Sequence, residues 1–234
     1  MIIIGHRGAA GILPENTVAS VMAAVKAGVD MIEFDARVTK DNKIVVFHDG
    51  NLQRIAGLNK AVDEMTLAEL TATETNSGYP IPSIQEVMQA AKDVPVLVDC
   101  KGRNWSVALY EALKDYPSGS FALTAVDTQE MFRFREHYPS VKTYVSEFTK
   151  PFEGIYKASL LGFTGISLNF WVLNPLAYYY AKRKNLKFMI FTVNSKLLAR
   201  FLDFFYPEAA IITNVPDKLL KHAKNRHKKQ AGLA

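Results

Sequence analysis

Short runs of β-branched and aromatic residues alternate with longer segments of helical periodicity from one end of the chain to the other. Strand patterns fall at 2–5 (IIIG), 31–38 (MIEFDARV), 43–49 (KIVVFHD), 95–101 (PVLVDCK), 120–124 (SFALT), 142–146 (KTYVS), 164–168 (TGISL), 186–192 (LKFMIFT) and 209–213 (AAIIT). Strands spaced by helix-length segments predict βα units and a parallel sheet. The second and third patterns are joined only by TKDN, too short for the crossover that parallel neighbours need, so they predict an antiparallel hairpin. Eight parallel strands remain. The economical architecture is a (β/α)8 TIM barrel with a β-hairpin after its second strand, its functional groups placed where strands end and loops begin.

The helical segments carry boundary signals of their own. TVASVMAAVKAGV sets Val18, Val21, Met22, Val25 and Val29 on one helical face, and Gly28 sits where the helix would stop. TLAE at Thr66 and SIQE at Ser83 each pair a hydroxyl with a glutamate three residues on, the signature of a capping box. Residues 50–80 are too long for a simple connection and too short for a separate domain, which predicts a small cap insertion. No linker or low-complexity tract interrupts residues 1–217, which are expected to form one domain.

Charge changes this picture only at the end of the chain. The net formal charge is +5, yet six Lys or Arg and no acid lie from Lys218 onward, leaving 22 basic and 23 acidic residues in 1–217. A neutral body without a basic stripe interleaved with aromatics argues against a nucleic-acid groove, and 218–234 reads as a solvated basic tail. No stretch reaches the ~18 uninterrupted apolar residues of a membrane span, so stable membrane insertion is not expected. Strand-like sequence from Ile2 leaves no room for a signal peptide, and a cytoplasmic location is the expectation. The single cysteine, Cys100, excludes an internal disulfide and reads as a small buried apolar residue.

The candidate chemistry lies at strand tips. Glu33 and Asp35 are two apart and share a face, while Ile32 and Phe34 take the other. Asp99 and Lys101 repeat the arrangement opposite Val98 and Cys100, and the first strand ends in His6 and Arg7. A hairpin centred between Lys40 and Asp41 sets His48 beside Glu33. Three converging carboxylates without enough cations to neutralise them suggest a hard divalent ion, Mg²⁺ or Ca²⁺, rather than zinc. Two histidines beside it suit a general acid and a general base. Arg7 and Lys101 supply the permanent positive charge that an anionic phosphodiester requires.

With these groups in view, the chain resembles the glycerophosphodiester phosphodiesterase family. The likeness rests on GHRG (5–8), PENT (14–17), IEFD (32–35), TKDNKIVVFHD (39–49), IPS (81–83), VDCK (98–101), FTVN (191–194) and IITNVP (211–216). It implies a barrel enzyme that cleaves a small-molecule glycerophosphodiester to sn-glycerol 3-phosphate and an alcohol. Carried over position by position, it implies His6 and His48 as the acid–base pair, Glu33, Asp35 and Asp99 as metal ligands, and Arg7 and Lys101 as phosphate contacts. Trp171, which follows a strand end, and Phe191, which stands where tryptophan is common, are assigned to the substrate wall. The chain departs from the family pattern at Asp99, where glutamate is usual, at Asn214, where aspartate is usual, and at LTAVD, where a Ser-Phe pair is usual.

Glu15 admits two readings, a partner for Arg7 or a charge near the positive end of a helix capped by Asn16 or Thr17, and the second is preferred. His137, His222 and His227 lie away from every strand tip and read as surface residues. Two other functions fit the same residues: a phospholipase-like phosphodiesterase that releases a cyclic phosphate, and a phosphodiester-binding protein without turnover.

Overall fold

The strands β1 (Ile2–Gly5), β2 (Met31–Val38), β3 (Ile44–Val46), β4 (Val96–Cys100), β5 (Phe121–Ala125), β6 (Lys142–Glu147), β7 (Gly165–Asn169), β8 (Lys187–Phe191) and β9 (Ala210–Thr213) follow the predicted pattern closely. The structure is a computed structural model that describes residues 1–220. The sheet runs β1-β9-β8-β7-β6-β5-β4-β2-β3, and β1 also pairs with β2, so eight parallel strands close into a barrel and β3 lies antiparallel outside β2. Around it lie α1 (Val18–Ala27), α4 (Ile84–Ala91), α5 (Ser106–Leu113), α6 (Thr128–His137), α7 (Pro151–Leu160), α8 (Pro175–Arg183) and α9 (Lys196–Phe205). The short helices α2 (Gln53–Ala56) and α3 (Leu67–Thr71) belong to the insertion at 50–80.

Each strand feeds two cores because its side chains alternate. Ile3, Ile32, Phe34, Val98, Leu123 and Ile166 point outward into the layer beneath the helices. Ile4, Leu97, Ala122, Tyr144, Met189, Ala210 and Ile212 fill the barrel interior. Burial on both faces is why IIIG reads as a continuous apolar run rather than an alternation. In the insertion, Leu52, Val62, Met65 and Leu70 pack with Val45, Phe47 and Ile81 in a third cluster, which anchors the segment to the hairpin. Capping boxes form at Thr66 and Ser83.

Three details differ from the sequence expectation. In the hairpin, Ala36, Arg37 and Val38 pair with Val46, Val45 and Ile44, one residue away from the predicted register. The loop is longer by one residue. Asn42, at φ 54°, donates its N–H to Thr39 O at 3.0 Å, and Thr39 N–H donates to Lys43 O at 2.9 Å, so the turn centres on Asp41. On α1, Met22 is 56% exposed, and the buried face is instead Ser20, Val21 and Ala24. Small side chains are needed there because the loop after β1 crosses that face: Gly8, at φ 79°, lies so close that an added Cβ would meet the Ser20 carbonyl carbon at 2.5 Å. At the chain's far end, Leu219 and Leu220 pack into the main core, so that core continues past residue 217. His222, His227 and the rest of the basic tail lie outside the described residues. Among the described residues, no helix is long and apolar enough to cross a membrane.

One buried carboxylate secures the helix layer. Trp105 precedes α5 without a side-chain cap, and the Ser106 N–H donates instead to Glu130 Oε2 on α6 at 3.0 Å. Burial works against ionisation of Glu130, but the Ser106 N–H and Arg133 hold its carboxyl below the usual range. Glu130→Gln is therefore expected to cost about 1–3 kcal/mol, lowering the thermal midpoint by roughly 2–4 °C per kcal/mol. Because the folded pKa is depressed, this difference should be full above the unfolded carboxylate pKa and vanish as pH falls through the folded value. Thermal melts of both proteins from neutral to acid pH check the size and the sign.

Candidate active site

The first residues of the site owe their position to a backbone that few side chains tolerate. Arg7 has φ 49°, a left-handed conformation costing about 1–3 kcal/mol away from glycine. That twist turns the Arg7 N–H onto Glu33 Oε2 at 2.7 Å, and the Gly8 N–H onto Glu33 O at 3.0 Å. The same turn sends the guanidinium toward β2, where Arg7 Nε lies 3.2 Å from Asp35 Oδ2 and Nη1 donates to Glu15 Oε1 at 2.8 Å.

Strand pairing delivers the carboxylates. Asp35 and Asp99 are Cα partners across β2 and β4, and Glu33 lies one pleat below on the same face. Oxygens of Glu33, Asp35 and Asp99 lie within 4.8 Å of one another. Lys101 Nζ bridges two of them, 2.6 Å from Asp99 and 3.3 Å from Asp35. The ionisation pattern shows how short of positive charge the cluster is. Burial, then Asp35 and Asp99, push Glu33 well above the usual carboxylate range. Burial likewise raises Asp99 to about 6, against the pull of Lys101. Burial would raise Asp35 too, but Lys101 and Arg7 hold it down. Two of three carboxyls thus resist losing their protons with Arg7 and Lys101 both in place. An all-oxygen donor set with unsatisfied negative charge fits a hard divalent cation.

Both histidines line the same cavity of about 240 Å³ as Arg7, Glu33, Asp35, Asp99 and Lys101. His6 Nδ1 lies 2.5 Å from Asn214 Oδ1, an atom that only accepts, so Nδ1 carries the proton and Nε2 faces Glu33 at 3.9 Å. Burial and then Arg7 lower His6 to about 4, which leaves it neutral at neutral pH. His48 reaches the cavity from beyond the end of β3, not from within the strand. Arg37 Nε donates to its carbonyl at 2.8 Å, and its Nδ1 pairs with Asp49 Oδ1 at 2.7 Å. Phe191 lines the cavity edge-on to Phe148, with ring centroids 5.1 Å apart. Trp171 does not join them: it is 80% exposed on a 3-10 turn, its ring tilted at 34° against Phe170. His137 lies away from the site, against the Tyr110 ring.

Several groups escaped the sequence reading. Asn16 is buried with φ 57° and donates to Asp35 Oδ2 at 2.8 Å, while Thr17 is the residue that caps α1. Glu15 pairs with Arg7 after all, and also accepts from Arg54 Nη2 at 2.6 Å. Arg54 in α2 donates from Nε to Asp49 Oδ2 at 2.6 Å, so one guanidinium ties the partner of His48 to the partner of Arg7. Thr124, Ser146, Ser167 and Asn169 complete the wall. Strand alternation was signal enough for these four, since each continues the inward parity of its strand. Asn16 and Arg54 left no such signal, because their roles depend on a left-handed turn and on the fold of the insertion. Beneath that insertion a second cavity of about 300 Å³ shares His48 with the first.

Comparison with known proteins places this geometry. Residues 6–218 match the sequence model of the glycerophosphoryl diester phosphodiesterase family. YhdW of Bacillus subtilis, a candidate glycerophosphodiester phosphodiesterase, is 31% identical, the alignment covering 97% of this chain and 100% of that protein. Lysophospholipase D GDPD1 of Rattus norvegicus is 37% identical over 43% of this chain, but only 36% of that longer protein is matched. Among solved structures, a phosphodiesterase from Oleispira antarctica, in complex with the product sn-glycerol-3-phosphate, superposes with a TM-score of 0.89 at 21% identity, covering 96% of this chain and 97% of that one. A glycerophosphodiester phosphodiesterase from Thermotoga maritima gives 0.81 at 22% identity, with 94% and 97% covered. At these identities the structural likeness is one of fold.

Asn16 gives the carboxylate cluster a test that spares the cluster itself. Asn16→Ala removes a hydrogen bond that orients Asp35, a loss of about 10–100-fold in metal affinity for a group of this kind. Calorimetric titration with Mg²⁺, Ca²⁺ and Mn²⁺ after chelation should show that weakening at a temperature where the variant is folded, with a lower thermal midpoint for the metal-free protein because Ala sits in a left-handed backbone and the Asp35 N–H loses its acceptor.

Proposed function

The chain belongs to the glycerophosphoryl diester phosphodiesterase family and is a phosphodiesterase, and on that premise we propose that it hydrolyses glycerophosphodiesters to sn-glycerol 3-phosphate and an alcohol, with His6 and His48 as the acid–base pair. The observation that carries this reading is the meeting of two histidines, three carboxylates and two fixed cations in one cavity at the carboxyl ends of β1, β2 and β4. The product bound to the Oleispira antarctica relative is of the kind this reaction would release.

Glu33, Asp35 and Asp99 would hold a divalent cation, Mg²⁺ or Ca²⁺. When bound, such an ion supplies Lewis-acid stabilisation of charge on the phosphoryl oxygens. Arg7 and Lys101 bind the anionic diester and stay charged throughout, which stabilises the transition state as negative charge grows. His6, neutral in the free enzyme with its proton on Nδ1, is the member of the pair able to accept a proton, at Nε2. His48 is its complement: its Nδ1 is engaged by Asp49, so Nε2 is the atom that exchanges a proton across the cavity. Phe191 and Phe148 form an apolar wall suited to the carbon skeleton of the substrate. Trp171 is kept as a contact only for an alcohol large enough to reach beyond the cavity.

His6→Ala and His48→Ala are each expected to lower turnover by roughly 10²–10⁴-fold, the scale of losing a positioned acid or base. Near-native rates in either variant would remove that residue from the mechanism. Glu33→Gln should weaken metal binding while the barrel stays folded, and unchanged affinity would contradict the ligand assignment. Phosphorus NMR of the reaction identifies the chemistry: sn-glycerol 3-phosphate is the expected end product, and a persisting cyclic phosphate would replace hydrolysis with internal transfer.

A further inference from the structure

The catalytic cavity has a neighbour on each side, and the two differ in charge. On the His48 side, the cavity of about 300 Å³ has one arginine, Arg54, whose charge is met by Asp49 and Glu15 at 2.6 Å each. That side offers a substrate no spare positive charge. A cleft of about 700 Å³, walled in part by residues 50 and 61–63 of the insertion, shares Lys101 with the catalytic cavity. Its walls carry Arg37 and Lys40 from the hairpin and Arg103 from the loop after β4, with Asp63 of the insertion as the facing acid.

Lys101 is committed to Asp35 and Asp99. Arg37, Lys40 and Arg103, by contrast, make no ion pair among the described residues. Arg37 is the telling member. It is half-buried, and its single hydrogen bond runs from Nε to the His48 carbonyl at 2.8 Å, so both η nitrogens lack a partner among the described residues. Asp35, Asp49, Asp63 and Asp99 act on it only from beyond ion-pair distance, so its planar fork stays open to a phosphate or carboxylate. Arg37 also lies two residues beyond Asp35 on the same face of β2, about 7 Å along the strand. One small polyol could span that distance.

We propose that this cleft is a second anion site, which takes a phosphate or carboxylate carried on the alcohol arm of the diester, so that substrates with an anionic alcohol are preferred. The proposal rests on the diester hydrolysis argued above. It assigns the charged arm to the Lys101 side, past which the chain of cations continues, and leaves the His48 side to an uncharged arm.

The test compares two substrates within each protein. The metal-loaded enzyme is assayed on glycerophosphoglycerol and on the same diester phosphorylated at the terminal hydroxyl of its alcohol, using the native chain, Arg37→Gln and Arg103→Gln. Arg37→Gln keeps a donor for the His48 carbonyl while deleting the charge. The native enzyme is expected to favour the phosphorylated diester by about tenfold or more in kcat/KM, carried mainly by KM, and to lose that preference with added salt. In each variant the ratio should fall toward one, and since it is taken within one preparation, any loss of folded protein cancels. Equal rates for the two substrates in the native enzyme, or a preference undiminished in either variant, would overturn the second site as assigned while the hydrolase reading stands. Cleavage of neither diester with any divalent cation would overturn the hydrolase reading and the proposal with it.

Discussion

Buried negative charge at the mouth of the barrel is the constraint around which the rest of the site is arranged. Glu33, Asp35 and Asp99 bring oxygens within 4.8 Å of one another, a separation at which two like charges repel by roughly 4 kcal/mol in a protein-like dielectric. Arg7 and Lys101 relieve part of this, and the raised carboxyls of Glu33 and Asp99 record the part they leave. The neighbouring details serve the same end. Arg7 accepts a left-handed backbone so that its N–H and its guanidinium both face carboxylates, and Asn16 accepts another so that its amide can reach Asp35. Left to themselves these carboxylates would destabilise the fold. An all-oxygen set of this kind suits a hard divalent cation, whose charge would offset that repulsion.

The barrel can hold such a cluster because register leaves little freedom. Asp35 and Asp99 are paired directly across neighbouring strands, and β1 closes against β2, so His6 and Arg7 leave their strand beside Glu33. The lower barrel is packed with Ile4, Leu97, Tyr144 and Met189, and above that layer the same inward positions become Thr124, Ser146 and Ser167. The change from apolar to polar marks where packing ends and chemistry begins. Outside the barrel, the small face of α1 lets the loop after β1 lie flat, which keeps Arg7 and Asn16 within reach of β2.

What could be read from the sequence follows from how local each cause is. Strand alternation is set by neighbouring residues alone, and it was enough to orient Glu33, Asp35, Asp99 and Lys101 correctly. The same alternation turns Thr124 and Ser146 inward above Ala122 and Tyr144. The hairpin register missed by one because Asn42 takes a left-handed conformation, a choice that TKDN permits without requiring. Met22 was placed on the wrong face because periodicity weighs apolar character, whereas the loop over α1 selects for small size at Ser20 and Ala24. Glu15 and Arg54 are 39 residues apart, and nothing local joins them. Trp171 follows a strand end as expected, but the 3-10 turn after β7 carries it away from the cavity.

Asp99 shows how register can offset a change in side-chain length. Where the family's glutamate would reach further, this chain has a carboxylate one methylene shorter, and a shorter arm on an isolated loop would fall outside the cluster. On β4 it does not, because direct pairing sets its backbone about 4.8 Å from that of Asp35, closer than the reach of either side chain would require. Lys101, two residues on and on the same face, then holds Asp99 toward Asp35 at 2.6 Å. The shorter arm therefore still keeps its carboxylate within the cluster. The cations beyond Lys101, Arg37 and Arg103, face the outer cleft, where Asp63 is the lining acid. The charge that binds these carboxylates together and the charge available to an incoming anion are divided at that one lysine.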